Sequence, residues 1–177
     1  LLLTATATRK VKEDMCKKFA IAQNHMVQTG FYRPNLDLAV VPTSQSNKLA
    51  RLLESVQENS GAGIVYVTLQ HTANEVGQYL REHGINAVSY HAGLPTEARL
   101  RIQDQFMQSA DQTVVATIAF GMGVDKANIR YVIHYDLPKS IENYSQEIGR
   151  AGRDGQASKC ITLANLDGLN TVENFVY

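Results

Sequence analysis

From residue 36 to residue 165, short runs of β-branched and aromatic residues alternate with longer amphipathic stretches, and this alternation restricts the fold more than anything else in the chain. The runs LDLAVV, GIVYVT, AVSYH, TVVAT, YVIHYD and CITLAN are nearly continuous apolar segments, as strands covered on both faces must be. NKLARLLESVQEN, TANEVGQYLREHG and PTEARLRIQDQFMQS lie between them and carry helical periodicity. Pro95 suits the opening of the last of these, Glu97 puts negative charge in its first turn, and Gly84 suits a helix C-terminus. Strand–helix–strand units of this length are joined by right-handed crossovers. The expected fold class is therefore α/β: a three-layer, doubly wound parallel sheet.

With 44% hydrophobic and 19% charged residues, the 177-residue chain can bury a sizeable core as one domain, or as one domain plus a fragment. Lys+Arg and Asp+Glu both number 17, so no global positive field advertises a polyanion partner and any basic site must be local. Cys16 and Cys160 stand far apart without a CxxC or His-spaced pattern, against a disulfide framework or a zinc site. No apolar run reaches the length of a membrane span, and LLLTATAT lacks the charged leader of a signal peptide. A cytoplasmic location without membrane attachment is expected.

Residues 1–33 differ in kind. A strand-like LLLTATAT, a helix RKVKEDMCKKFA and a short strand HMVQTG precede FYRPN, where Pro34 biases Arg33 toward extended backbone. They read as the tail of another domain plus a linker, with residues 34–177 forming the main domain.

The segment KSIENYSQEIGRAGRDG carries the clearest chemistry. At about 100° per residue, a continuous helix would place Ile141, Tyr144, Ile148 and Ala151 on one face and Asn143, Gln146, Arg150 and Arg153 on the opposite one. Each arginine offers a fixed fork of donors matched to phosphate oxygens, so a nucleotide or nucleic-acid phosphate is the first candidate ligand. A solvated helix face ending in a glycine-rich cap is the plain alternative. In open parallel sheets the ligand lies beyond the carboxyl ends of the strands. Thr68, His91, Gly93, Thr117 and Asp136 fall there, and hydroxyls, amides and an imidazole on one rim can hold a nucleic-acid backbone without reading bases. Taken singly, Thr117 is more often a strand-end turn residue, and His91 is as readily a structural hydrogen-bonding histidine as a ligand contact. In AFGMGVDKAN, Gly121 and Gly123 permit close backbone approach to a ligand and Asp125 can accept hydrogen bonds from a ribose; a tight turn with Phe120 and Met122 in the core fits as well.

Three kinds of catalytic machinery do not occur in these residues. They contain no GxxxxGK[ST] phosphate cradle, no acidic DExH or DEAD run for Mg²⁺, and no Ser/His/Asp or Cys/His nucleophile arrangement. The segment is expected not to hydrolyse ATP by itself. Arginines without a cradle make chemical sense as fingers that enter a site on a partner domain and stabilise transition-state charge there.

The blocks LTATAT, FYRPNL, GIVYV, SYHAGL, VVATIAFGMGVDK and YVIHYDLPKSIENYSQEIGRAGRDG together resemble the C-terminal half of a RecQ-type DNA helicase of superfamily 2. Gln146, where DEAD-box RNA helicases carry a histidine, and FGMGVD favour the DNA-unwinding branch. The resemblance implies a RecA-like second motor lobe from about Pro34 onward, preceded by motif III of the first lobe, in which Thr4 and Thr6 would be coupling residues. It implies ATP and Mg²⁺ held mainly by the first lobe, with Arg150 and Arg153 meeting the γ-phosphate, Arg153 as the main finger, and Gln146 on the same face. Gly123 and Asp125 would approach the nucleotide or bridge to the arginines. Thr68, His91, Gly93 and Thr117 would touch single-stranded DNA, with movement 3′ to 5′. The ATP-binding lobe and the four-cysteine zinc module of complete family members are not among these residues, so helicase activity is expected of a longer parent protein. A nucleic-acid or protein binding module without an ATP cycle, and a small-molecule nucleotide enzyme on the same fold, are the rival readings.

Overall fold

The computed structural model describes residues 9–27, 32–121 and 124–165. The chain divides into two compact units, Leu1–Pro34 and Asn35–Tyr177. In the first unit, helix α1 (Arg9–Lys18) buries none of its residues and is laced by exposed Arg9–Glu13 and Lys18–Asp14 pairs. Such i,i+4 pairs add only a few tenths of a kcal/mol each, roughly. The expected strand HMVQTG differs: His25 closes a 3₁₀ turn, Gln23–His25, and the exposed Met26 and Val27 belong to no strand. The rest of that segment, and LLLTATAT, lie outside the described residues.

The second unit runs β1 (Leu36–Pro42), α2 (Lys48–Gln57), β2 (Ala62–Tyr66), α3 (Gln70–Glu82), β3 (Ala87–Tyr90), α4 (Thr96–Gln108), β4 (Thr113–Ala116), β5 (Ile129–His134), α5 (Ile141–Ile148) and β6 (Ser158–Ala164). The six strands form one sheet in the order β1-β6-β5-β2-β4-β3, every neighbour parallel. The six expected strands of residues 36–165 and the three helices expected between them are present, shifted by a few residues at their ends. Glu97 lies in the first turn of α4, and α3 gives way to Gly84 at φ +81°.

The three layers follow from strand alternation. On one face, Val65, Val67, Val115, Tyr131, Ile133 and Leu163 pack against Leu52 and Val56 of α2 and Ala73, Val76 and Leu80 of α3. On the other, Ile64, Tyr66, Val114, Ala116, Val132 and Cys160 meet Phe106 of α4 and Ile148 of α5. At about 25 cal/mol per Å² of apolar surface, burying each of the larger side chains favours folding by roughly 1.5–3 kcal/mol. Among described residues no helix is long and apolar enough to cross a membrane.

Candidate functional site

Sheet order brings the carboxyl ends of β5, β2, β4 and β3 side by side, and with them most of the rim residues singled out in the sequence. Asp136, just past β5, accepts from the Thr68 backbone N–H at 2.8 Å and from the Lys48 ammonium at 2.8 Å. Lys48 is buried at 3% exposure and lies over the Tyr135 ring, 4.1 Å from its centroid. Burial first, and then the nearby Asp136 charge, push the Tyr135 hydroxyl up to about 12. One carboxylate thus ties together the exits of β5 and β2 and the start of α2, and consumes the Thr68 amide. His91 is buried after β3, its Nε2 bonded to Asn74 Oδ1 at 3.2 Å. Thr117 is buried after β4, its N–H donating to the Tyr90 carbonyl. Gly93 is exposed and is the most open residue of the set, whereas Thr68 is half-buried with its amide taken by Asp136.

The arginine segment departs from the continuous helix that its periodicity suggests. Ser140 caps α5, its hydroxyl accepting from the Asn143 N–H at 3.2 Å, and the helix stops at Ile148. Residues 149–154 then form turns, in which the Gly152 N–H donates to the Ile129 carbonyl at 2.9 Å with φ +54°. A side chain at Gly152 would meet Asn35, the Gln156 carbonyl and Ser158, so glycine is required both by backbone sign and by space. Arg150 and Arg153 therefore leave the helix before they reach a ligand, and their stripe is not a helical stripe. On α5 itself Ile141, expected to pack, is 73% exposed, whereas Glu147 is the buried residue.

Both arginines are held by the loop that leaves β4. Arg150 Nη1 donates to the Gly121 carbonyl at 2.6 Å, and a Cβ on Gly121 would lie 2.3 Å from Nη2. Gly121 is thus the residue that lets backbone and guanidinium come together. Arg153 Nη1 donates to Asp125 Oδ1 at 2.5 Å, with the Arg153 side chain 37% and Asp125 88% exposed. Gln146 is exposed on α5. Gly123, Thr4 and Thr6 lie outside the described residues. Lys126, next along the loop, is no phosphate ligand here: it is buried, donates to the Met107 and Ser109 carbonyls at 3.2 and 2.8 Å, and burial pulls its ammonium below the usual lysine value.

A buried polar cluster behind the arginines is absent from the sequence reading. His134 Nε2 and Glu147 Oε2 lie 2.7 Å apart, and the imidazole stacks on Tyr66 with centroids 5.5 Å apart and planes at 21°. Tyr144 is tilted against the same imidazole, with centroids 5.1 Å apart. The Tyr66 hydroxyl donates to the Phe120 carbonyl at 3.3 Å. Burial pushes the Tyr66 hydroxyl well above its usual value, opposed by the positive charge of Arg150. One signal was available: a histidine inside the apolar run YVIHYD needs a partner when buried.

Chemically, the arrangement offers two guanidiniums three residues apart for an anionic group. Among described residues no group of three His, Cys, Asp or Glu is placed to hold a metal ion. The donor set thus fits phosphate oxygens and does not fit Mg²⁺.

Comparison with known proteins gives a consistent answer. Residues 44–155, well over half of the chain, match the helicase conserved C-terminal domain. The ATP-dependent DNA helicase RecQ of Bacillus subtilis is 45% identical over 92% of this chain, and the RecQ-like DNA helicase BLM of Xenopus laevis 35% identical over 99%. A putative ATP-dependent RNA helicase of Acanthamoeba polyphaga mimivirus is 38% identical over 99%. The chain spans 27%, 13% and 32% of those three relatives. Among solved structures, the C-terminal domain of the DEAD-box protein Dbp5 superposes with a TM-score of 0.67 at 23% identity, covering 81% of this chain and 86% of that one. The E. coli DEAD-box protein SrmB, solved bound to the regulator of ribonuclease activity A, superposes with a TM-score of 0.66 at 24% identity, covering 79% and 85%. Sheet order, matched domain and sequence identity agree: the chain belongs to the helicase conserved C-terminal domain family, as the RecA-like C-terminal lobe of the RecQ type.

Proposed function

We propose that this chain is the second motor lobe of an ATP-dependent 3′–5′ DNA helicase, the two arginines serving as fingers for ATP bound on the first lobe of the same protein. The reading rests on one observation above the others. Arg150 and Arg153 sit on a single turn and are both held by the β4 loop, one through Gly121 and one through Asp125. Positive charge is thus pre-placed at little further cost in side-chain ordering, as electrostatic stabilisation of a transferring phosphoryl group demands. No phosphate cradle accompanies it in these 177 residues. Arg153, the more exposed of the two described here, is the main finger, and its release from Asp125 on meeting phosphate is the step that switches partners. When bound, ATP and Mg²⁺ would supply the phosphoryl transfer whose energy drives lobe closure.

Under this reading residues 1–33 carry motif III of the first lobe, with Thr4 and Thr6 as coupling residues, and Gly123 approaches the nucleotide. Gly93 offers open backbone to single-stranded DNA and Thr68 its side chain, while His91 and Thr117 shape the rim. Sequence-blind contacts of this kind suit a motor, since a strong fixed grip would stall it. The chain alone leaves ATP intact. Arg153→Ala in the full-length parent protein tests the proposal: ATP binding stays, and DNA-stimulated hydrolysis falls about 10³-fold, the usual scale for an arginine finger. Unchanged turnover refutes the finger role.

A further inference from the structure

Four elements meet in the buried cluster behind the arginine turn, and they form a closed circuit. Tyr66 on β2 and His134 on β5 are register partners in neighbouring strands, and their rings stack. His134 pairs with Glu147 in the last turn of α5, and Glu147 precedes Arg150 by one helical turn. Arg150 donates to the Gly121 carbonyl, while the Tyr66 hydroxyl donates to the carbonyl immediately before it, that of Phe120. Two successive carbonyls of the β4 loop are therefore held by two different elements, and the circuit returns to its start. Tyr66, His134 and Glu147 are 4%, 0% and 7% exposed. Water has little access to the Tyr66 and Glu147 bonds in such a place, and the loss of one partner is felt by the rest. The charges of Arg150 and Glu147 both act on the Tyr66 hydroxyl, in opposite senses.

We propose that Tyr66 and Glu147 are positioning residues for Arg150: through the Phe120 and Gly121 carbonyls and the His134 pair, they fix its guanidinium to the β4 loop, so that arginine turn and loop move as one body. The inference rests on the split-site reading above for its effect on turnover. Its structural content stands apart from that reading and is measured separately.

Tyr66→Phe in the full-length protein removes one oxygen and keeps the ring stack. The kcat for DNA-stimulated ATP hydrolysis falls roughly tenfold, the scale of one lost hydrogen bond in a network that holds a charged group, while KM for ATP stays put and Tm falls by only a few degrees. Hydrogen exchange of the segment 117–121 quickens, and that of β2 and β5 does not. Glu147→Ala gives the same loss in kcat, and Glu147→Gln, which still accepts from an imidazole N–H, recovers most of it. Wild-type kcat and unchanged exchange in Tyr66→Phe would overturn the proposal, as would kcat and Tm falling together in proportion, which marks a merely structural role. If Arg153→Ala leaves turnover intact, the split-site reading fails, and exchange of 117–121 alone then decides: faster in Tyr66→Phe supports the positioning circuit, unchanged sinks it.

Discussion

The arginine turn and the β2–β3 rim are built from the same kinds of parts, and they dispose of their polar groups in opposite ways. On the rim, the Thr68 amide is taken by Asp136, the Thr117 amide by the Tyr90 carbonyl, and His91 by Asn74, so most donors are satisfied within the lobe. On the turn, Arg153 is paired with an aspartate that is itself 88% exposed. An exposed ion pair contributes at most about 1 kcal/mol, so an incoming phosphate can displace Asp125 cheaply. Breaking the rim contacts would strand buried groups at about 1–3 kcal/mol each. The rim thus supplies shape and the turn supplies exchangeable charge.

The contrast can be broken or sharpened by experiments of decreasing expected effect. Largest is the loss of hydrolysis in Arg153→Ala, set against Thr68→Ala, for which turnover at saturating DNA stays within about threefold because the amide bonded to Asp136 survives. Equal losses in the two variants would erase the distinction.

Gly121→Ala comes next. A Cβ there would meet the end of the Arg150 side chain, and a φ of +154° strains any side chain at this position, so guanidinium and backbone both shift. Hydrolysis falls by roughly ten- to a hundredfold, as expected when a positioned charge shifts by an ångström or so, and the strained backbone lowers stability by about 1 kcal/mol. Calorimetry beside steady-state kinetics separates the two. A variant that loses stability but keeps full activity would show that Gly121 serves the loop alone.

Asp136→Asn tests the rim from the other side. Removing the charge partner of buried Lys48 costs about 2 kcal/mol in urea unfolding, with a smaller effect on hydrolysis than either turn variant. A change confined to hydrolysis would place Asp136 in the chemistry.

Smallest is a pH effect near the end of the turn. Arg130 donates to both oxygens of Asp154 at 2.7 Å, and this hydrogen bonding holds the Asp154 carboxyl below its ordinary value of 3.8. A carboxyl depressed in the folded state contributes stability above its unfolded value, and that contribution is lost as pH falls through the lower folded value. Thermal unfolding in acid should show this loss in the wild type and a flatter profile in Asp154→Asn. Superimposable profiles would mean that the pair contributes nothing measurable.

The sheet was legible because fully covered strands write their burial directly into composition. AVSYH, TVVAT and YVIHYD each became a parallel strand, and Gly84 followed a helix as its backbone demanded. The arginine segment shows its residue types in the sequence but not its shape. Periodicity cannot see that Gly149 and Gly152 end α5 early, because the bond that holds Gly152 comes from Ile129, distant in sequence. Ile141 misled for a related reason, since an apolar residue at the right angle packs only if something lies opposite it. Glu147 and His134 were read past, each being unremarkable until β5 and α5 bring them together.

By itself, the sequence determined the α/β layering, the order of elements and the family, since these depend on local periodicity and on motif residues that can be read one after another. Only the tertiary structure decided which donors were already consumed and which charge stayed exchangeable. It placed Asp136 on Thr68, Asp125 on Arg153 and Tyr66 behind Arg150. Those pairings join strands and turns far apart in the chain, and their energies depend on burial, which exists only once the layers have closed.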